Sequence, residues 1–440
     1  MNTGRHLRSV PVDQLCHGLY VAETDRPWTE IPLMFQGFTI TSADEIDVLR
    51  AHCQHVFVDA ARSIPAALRA LDDTAGSGKP VEDTNDATAT ATGMRPETDT
   101  ADAFDHRRQP DTRRFQQLLQ RARESHSDTR RFLEDLFAEI DTGEMPSVHD
   151  GRSVVADLLQ TVSRNTGAAI WLANLDAKDA PTSVHSVNVC VLALAFGAHL
   201  GLDQQELEHI GLGALLHDTG KLFLPAAIRE KSDALTDAEW NIVRQHPQDG
   251  YDILVDKGDF PREVLDIVRC HHERLDGSGY PAGLAGVQVP LHVRVVALAN
   301  AYESMTSHRV YRSAMSADRA LQALYDDAAS RFGSRLVQEF IRCMGIYPAG
   351  SLVELDNGAV GVVLGSRPDA RIQPTVLLVR APGGAYYRKR VVLNLAAEAE
   401  AETDSGAPAR RIRRALDPAD EEIDVAGIIA IEFGLDLSPG

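Results

Sequence analysis

A chain of 440 residues, 44% hydrophobic and 25% charged, is long enough for roughly two to four domains with well-formed cores. Its formal charge of −20 argues against general nucleic-acid binding, because a polyanion is repelled unless a local basic patch offsets the field. Five cysteines (Cys16, Cys53, Cys190, Cys270 and Cys343) are odd in number, scattered and free of any CxxC pair, which argues against a disulfide framework or a zinc ribbon and fits a reducing cytoplasm.

The amino terminus, MNTGRHLRSV, has no apolar run behind its basic residues, so no signal peptide is expected. Short apolar or alternating runs at 18–21 and 55–58 read as strands around one helix, 42–52, where Ser42 and Glu45 have capping-box spacing. Residues 1–70 are therefore expected to form a small α+β domain. Ser, Thr, Asp, Gly and Ala dominate 71–112, the composition of a flexible linker. Helical periodicity returns at about Arg113, with apolar residues at three- and four-residue spacing in Val154, Val155, Leu158, Leu159 and Val162. The same rhythm recurs to Cys343 and predicts an all-helical core over 113–345. Within it, the apolar run 187–202 is short for a bilayer and carries Asn188 and His199, so no membrane span is expected.

Past Pro348 the texture changes to strand-like runs at 352–355 and 360–364, separated by the hairpin signal Asp356-Asn357-Gly358. Further runs at 375–379 and 385–393 complete an expected β appendage over 346–395. Residues 396–440 mix an acidic-alanine run with Arg410, Arg411, Arg413 and Arg414, and read as a charged, solvated, partly helical tail. The predicted fold class is mainly α: a helical core with a small α+β domain ahead of it and a small β appendage after it.

The chemistry concentrates in HDTGK, 217–221, and HHERLDGSGYP, 271–281. His185, His217, Asp218, His246, His271 and His272 fall at or near the ends of helix-like segments, several inside apolar runs. Buried imidazoles and carboxylates are costly unless paired or metal-bound. A donor set of imidazole and carboxylate without thiolate suits Fe, Mn or Zn, and several histidines favour a transition metal over Mg. These runs point to a metal-centred phosphodiesterase.

The HSVNV run at His185, HDTGK, the His246-Pro247 pair, HHERLDGSGYPAGL at 271–284 and ALANAYESMTSHRVYR at 297–312 together resemble the HD-GYP family of the HD phosphohydrolase superfamily, over about 153–344. Residues 10–59, with their DRPW and FQGF runs, resemble an uncharacterised small domain often found ahead of such catalytic domains. The resemblance implies a helical HD-type core and hydrolysis of cyclic di-GMP, a bacterial second messenger, to the linear dinucleotide and in some members to GMP. It further implies His185, His217, Asp218, His246, His271 and His272 as metal ligands, Asp218 bridging two divalent cations, Fe or Mn. Asn300 stands where the family commonly has Asp and would coordinate through its amide oxygen without adding charge.

Lys221 would neutralise the scissile phosphate or protonate the leaving oxygen. Gly279 and Tyr280 would shape the substrate pocket, the glycine by permitting close approach, and Arg309 and Arg312 would hold phosphate or guanine. Asp276, Gly277 and Gly283 read as a tight turn that needs no ligand. Glu303 replaces a common Asp and Val310 a common Pro, neither marked as a ligand. Some members carry an acidic third-metal ligand where this chain has Pro181, so two metals are expected. Two alternatives stay open: a receptor that binds cyclic di-GMP or a partner with little turnover, and a hydrolase of another cyclic dinucleotide or nucleotide. Other signalling proteins and a second copy of the chain are candidate partners.

Overall fold

A computed structural model describes residues 7–25, 38–40, 43–60, 62–75, 112–142, 148–175, 182–229, 231, 233–257, 259–307, 314–366, 370, 372–405, 409–418 and 420–434. The chain divides into two compact units, Met1–Arg107 and Arg108–Gly440.

In the first unit, strands β1 (Leu7–Pro11), β2 (Tyr20–Thr24), β3 (Phe38–Thr39) and β4 (His55–Asp59) form an antiparallel sheet in the order β1-β4-β2-β3. Helices α1 (Ala43–His52) and α2 (Pro65–Ala75) complete it. Alternation along β4 sends Val56 and Val58 into a core with Leu19, Val21, Ile46 and Leu49. Helix α2 corrects the expected linker start at 71: Leu71 is buried in this core and the helix runs on to Ala75. Residues 76–111 of the expected linker and Ser42 of the capping spacing lie outside the described residues, and Thr112 already opens the next helix.

The second unit opens with α3 (Thr112–Thr142), α4 (Val148–Arg164), α5 (Thr166–Leu175), α6 (Thr182–His199) and α7 (Gln204–Leu216). A 3-10 turn, Thr219–Phe223, leads to α8 (Ala226–Arg229), α9 (Asp237–Val243), α10 (His246–Lys257), α11 (Arg262–Cys270) and α12 (Leu291–Thr306). The helical part closes with α13 (Ala317–Asp326), α14 (Ala328–Arg331) and α15 (Ser334–Met344).

Helix α6 is central: Ser183 through Gly197 are all buried, and the helix packs against α7, α12 and α5. It is long and apolar enough to cross a membrane by composition, yet 83% of that window is buried inside the fold. A helix apolar all round is a core helix when its neighbours cover it. A buried polar contact away from the site ties it to α3, where His126 Nε2 and Asn188 Oδ1 lie 2.8 Å apart. Helix α7 starts from a capping box in which Asp203 accepts from Glu206 N and Glu206 accepts from Asp203 N.

Beyond the helices, β5 (Leu352–Leu355), β6 (Val360–Gly365), β7 (Thr375–Arg380) and β8 (Tyr386–Asn394) pair antiparallel, with Gly358 at φ +84° in the predicted hairpin. Helix α16 (Leu395–Ser405), strand β9 (Ile412–Leu416) and helix α17 (Val425–Phe433) follow. Strand β9 corrects the expected solvated tail: it pairs with β5 and gives the five-stranded order β8-β7-β6-β5-β9. The basic cluster is spent on this attachment, Arg410 pairing with Glu398 and both Arg413 and Arg414 with Glu354. The fold class is as expected, a mainly helical core with small sheets ahead of it and after it.

Candidate metal centre and substrate cavity

Helix termini bring the site together. His217 caps the carboxyl end of α7 and His271 that of α11, and these two helices pack closely because Gly213 faces Ile267: a Cβ there would stand 2.6 Å from Ile267 Cδ1. The His217 and His271 rings consequently meet edge to face, centroids 4.8 Å apart. His246 opens α10, and His185 lies in the first turns of α6. The 3-10 turn crosses the start of α10 so tightly that a Cβ on Gly220 would stand 1.9 Å from His246 O.

Asp218 sits at the centre, 1% exposed, and its two oxygens face different histidines. Oδ2 lies 3.4 Å from His185 Nε2 and 3.4 Å from His217 Nε2, whereas Oδ1 lies 3.2 Å from His246 Nε2 and 3.9 Å from His271 Nε2. Two groups of donor atoms result, His185/His217/Asp218 and His246/His271/His272, each with its atoms within 4.8 Å of one another.

Tautomers follow from what lies behind each ring. His217 Nδ1 donates to Ala214 O (2.7 Å), His246 Nδ1 to Val243 O (2.7 Å) and His271 Nδ1 to Val268 O (2.9 Å). A carbonyl only accepts, so in the neutral rings each Nδ1 carries the proton and each Nε2 offers a lone pair inward. His246 Nε2 and His271 Nε2 then face each other at 3.3 Å as two acceptors. Asp218 Oδ1 and His217 Nε2 are buried without a hydrogen-bond partner among the described residues. Converging lone pairs of this kind are reconciled only by a cation or extra protons, so the residues fit a metal centre.

Protonation states agree. Burial pulls the His217 imidazole down to about 4, and burial with neighbouring histidines holds His271 and His272 well below the ordinary range, so all three are neutral at pH 7. Burial opposes the charge on Asp218, but His217, Lys221 and His246 together hold its carboxyl well below the usual range. Lys221 Nζ lies 2.6 Å from Asp218 Oδ2 and is 28% exposed, reaching from the cluster into the cavity. Cys270 adjoins His271, but burial and the charges of Glu273 and Asp266 push its thiol up to about 11, so it stays protonated. The donors are therefore nitrogen and oxygen, a set that suits Fe, Mn or Zn.

Several important residues escaped the sequence reading. Glu303, 2% exposed, accepts from His185 Nδ1 at 2.5 Å and is itself held by Ser307 Oγ at 2.7 Å. A carboxylate behind a ligating histidine orients the ring and raises its basicity. Glu273, also 2% exposed, accepts from the backbone N–H groups of Ala282 (2.7 Å), Gly283 (3.1 Å) and Leu284 (2.9 Å), which fixes the loop after the histidine pair. The available signal for Glu303 was its spacing: Asn300, Glu303, Ser304 and the cap residue Ser307 share one face at the carboxyl end of α12.

Asn300 lines the cavity, 6% exposed, and its Oδ1 accepts from Ser304 Oγ at 3.3 Å. Tyr280 also lines it, its ring stacked on His272 with centroids 4.6 Å apart and 24° between planes. Gly279 differs from expectation. A Cβ there would stand 2.5 Å from Arg274 N and Glu273 Cα, so the close approach that demands glycine is to the chain's own backbone and not to a ligand. Asp276 accepts from Ser278 N at 2.9 Å with Gly277 at φ +77°, a turn closed within itself. Arg309, Arg312, Val310 and Pro181 lie outside the described residues. The cavity over the cluster has a volume of about 1120 Å³ and extends from His185 and Asp218 past Tyr280 to α8, α9 and Arg331.

Comparison with known proteins agrees with this architecture. The family described as HD domain matches residues 169–336, and the one described as Domain of unknown function (DUF3391) matches residues 7–150. The cyclic di-GMP phosphodiesterase PA4108 of Pseudomonas aeruginosa is 29% identical over 84% of this chain and 84% of its own length. The cyclic di-GMP phosphodiesterase response regulator RpfG of Xanthomonas campestris is 36% identical over 38% of this chain and 45% of its own. The 3'3'-cGAMP-specific phosphodiesterase 1 of Vibrio cholerae is 32% identical over 42% of this chain and 43% of its own. The chain thus carries a DUF3391 domain followed by an HD domain, with the HDTGK and HHERLDGSGYP runs at the centre of the matched helices.

Proposed function

We propose that the protein is a metal-dependent phosphodiesterase that hydrolyses cyclic di-GMP to the linear dinucleotide in bacterial second-messenger signalling in the cytoplasm. The observation that carries the reading is the division of Asp218, one oxygen toward His185 and His217 and the other toward His246 and His271. Likeness to cyclic di-GMP phosphodiesterases, one of them along 84% of the chain, supports the substrate.

His185, His217 and Asp218 would hold one divalent cation and Asp218, His246, His271 and His272 the other, with the Asn300 amide oxygen as a further, uncharged donor. Fe and Mn suit this donor set. When bound, such a pair supplies Lewis-acid activation of the attacking water and charge neutralisation at the phosphate. The chain's own residues do the rest. Glu303 and the carbonyls of Ala214, Val243 and Val268 keep the four imidazoles in the ligating tautomer. Lys221 carries the positive charge nearest the cavity floor, where it can neutralise the scissile phosphate or protonate the departing oxygen. The Tyr280 phenol, raised above its ordinary range by burial and by Asp218, stays protonated and can donate to the substrate. Arg309 and Arg312 are proposed phosphate or guanine contacts on their motif positions alone.

The test is turnover of cyclic di-GMP by protein purified without oxygen and supplied with Fe or Mn, with bound metal counted and Asp218→Ala alongside. Product from the parent alone, with metal lost in the variant, is the expected result. Equal metal content and equal turnover in both proteins would overturn the site. Binding without product, at two metals per chain, would make the protein a receptor.

A further inference from the structure

The Trp240 and Arg244 side chains on the α9 wall of the cavity take no part in the chemistry above. Trp240 and Arg244, the latter capping the helix, are four residues apart, so they share a helical face, and both line the cavity. Trp240 is 45% exposed, an indole left open on a cavity wall. Three of the five other basic side chains lining this cavity differ from Arg244 in their pairing. Lys221, Lys231 and Arg331 each meet a carboxylate, at 2.6, 2.6 and 3.2 Å, whereas Arg244 has no carboxylate partner among the described residues. Its guanidinium lies 5.9 Å from the centroid of the Tyr280 ring, which stacks in turn on His272.

One continuous surface therefore leads from the metal-facing His272 through Tyr280 and Arg244 to Trp240. An open indole offers a purine a stacking platform, and a guanidinium without a carboxylate is free to bond bidentately to the two acceptors of guanine, O6 and N7. Adenine presents an acceptor and a donor on the same edge, which a guanidinium cannot match. The platform is also fixed relative to the metal residues. Thr236 and Glu239 close a capping box at the start of α9, Lys231 pairs with Glu239, and Val243 O at the helix end accepts from His246 Nδ1.

We infer that Trp240 and Arg244 form the subsite for a guanine base of the substrate, Trp240 stacking on the ring and Arg244 bonding to its O6/N7 edge, and that this pair sets the preference for guanine over adenine. The inference rests on the cyclic-dinucleotide reading. Its test uses the full, metal-loaded chain and the variants Trp240→Ala, Trp240→Phe and Arg244→Gln. The readouts are kcat and KM on cyclic di-GMP, on cyclic di-AMP and on bis(p-nitrophenyl) phosphate, which has no purine. Removing a base-stacking ring is expected to raise the cyclic di-GMP KM about 5- to 150-fold, with a much smaller change in kcat. Trp240→Phe, which keeps a ring, recovers most of that loss. Arg244→Gln lowers the kcat/KM ratio of cyclic di-GMP over cyclic di-AMP about tenfold, within the range of one bidentate base contact.

A parent-like KM in Trp240→Ala overturns the subsite. So does an equal loss on all three substrates in both Trp240 variants, which would make the residue a support for His246 through α9. Should the parent turn over no cyclic di-GMP, that result bears on the phosphodiesterase reading alone, and the same variants decide the subsite through the Kd of cyclic di-GMP.

Discussion

Gly220→Ala tests the geometry of the site without touching any proposed ligand. The added methyl carbon would stand 1.9 Å from His246 O, 2.7 Å from Gly250 N and 2.8 Å from His246 C. All three are backbone atoms, so no side-chain rotation relieves the overlap. Restoring an ordinary contact of about 3.4 Å requires the 3-10 turn and the start of α10 to separate by roughly 1.5 Å. His246 Nε2 now lies 3.2 Å from Asp218 Oδ1, and ligand distances at metal sites tolerate only about ±0.2 Å. A shift of that size removes His246 from its group while leaving His185, His217 and Asp218 together. Overpacking of this kind costs about 1–3 kcal/mol in stability, small enough for the helical fold to survive. The expected outcome is a drop from two bound metals toward one, with turnover down about 100-fold, the scale of a 1 Å misplacement at a reacting centre. Metal analysis, circular dichroism and turnover on the same preparation check it. Two metals per chain with turnover within about twofold of the parent would refute the reasoning.

Glu303→Gln keeps the size of the side chain but withdraws the carboxylate from His185 Nδ1, so metal affinity should fall about 10- to 100-fold in competition with a chelator; an unchanged affinity would deny Glu303 its orienting role. Asn300→Asp adds a charge beside the cluster and should raise metal retention or turnover, and no gain in either would mean the amide is not limiting. Acidification should destabilise the metal-free protein. The His217 imidazole titrates at about 4 when folded and near 6.5 when unfolded, so the unfolded chain binds more protons between these values. Stability is then level above about pH 6.5 and falls toward pH 4, by about 3 kcal/mol for His217 alone, and Asp218, ionised in the folded state through this window, adds to the fall near pH 4, where the unfolded chain's carboxyl takes up protons. Urea midpoints that hold steady or rise from pH 7 to pH 5 would contradict this sign.

Local pattern carried most of the fold. Apolar spacing marked α6, α7, α11, α12 and α15, and Asp356-Asn357-Gly358 marked the turn between β5 and β6. What escaped depends on distant pairing. Strand β9 reads Ile-Arg-Arg-Ala-Leu, and its two central arginines hide the strand until Glu354 on β5 is seen to receive both. Helix α2 has a weak sequence signal beside a polar stretch, and the burial of Leu71 is a tertiary fact.

The site shows the same division more sharply. Residue types and spacing pick out the six proposed metal residues, because a histidine or carboxylate in an apolar run has few other ways to be tolerated. What a motif cannot convey is the direction in which each group works. Glu273 looks like part of the metal-facing run beside His271 and His272, yet its carboxylate turns away to hold three backbone N–H groups of the loop that carries Tyr280. Glu303 looks like an idle replacement, yet it is the acceptor that fixes the tautomer of His185. Gly279 looks like room for a ligand, yet the space it leaves is filled by backbone from His272 to Arg274. Each of these residues acts by placing or orienting another group and is itself no proposed ligand. That is why Gly220, three positions after His217 and itself no ligand, is expected to control occupancy of the second group: the ions are selected by donor atoms, but whether those atoms converge is decided by how closely two stretches of backbone can cross.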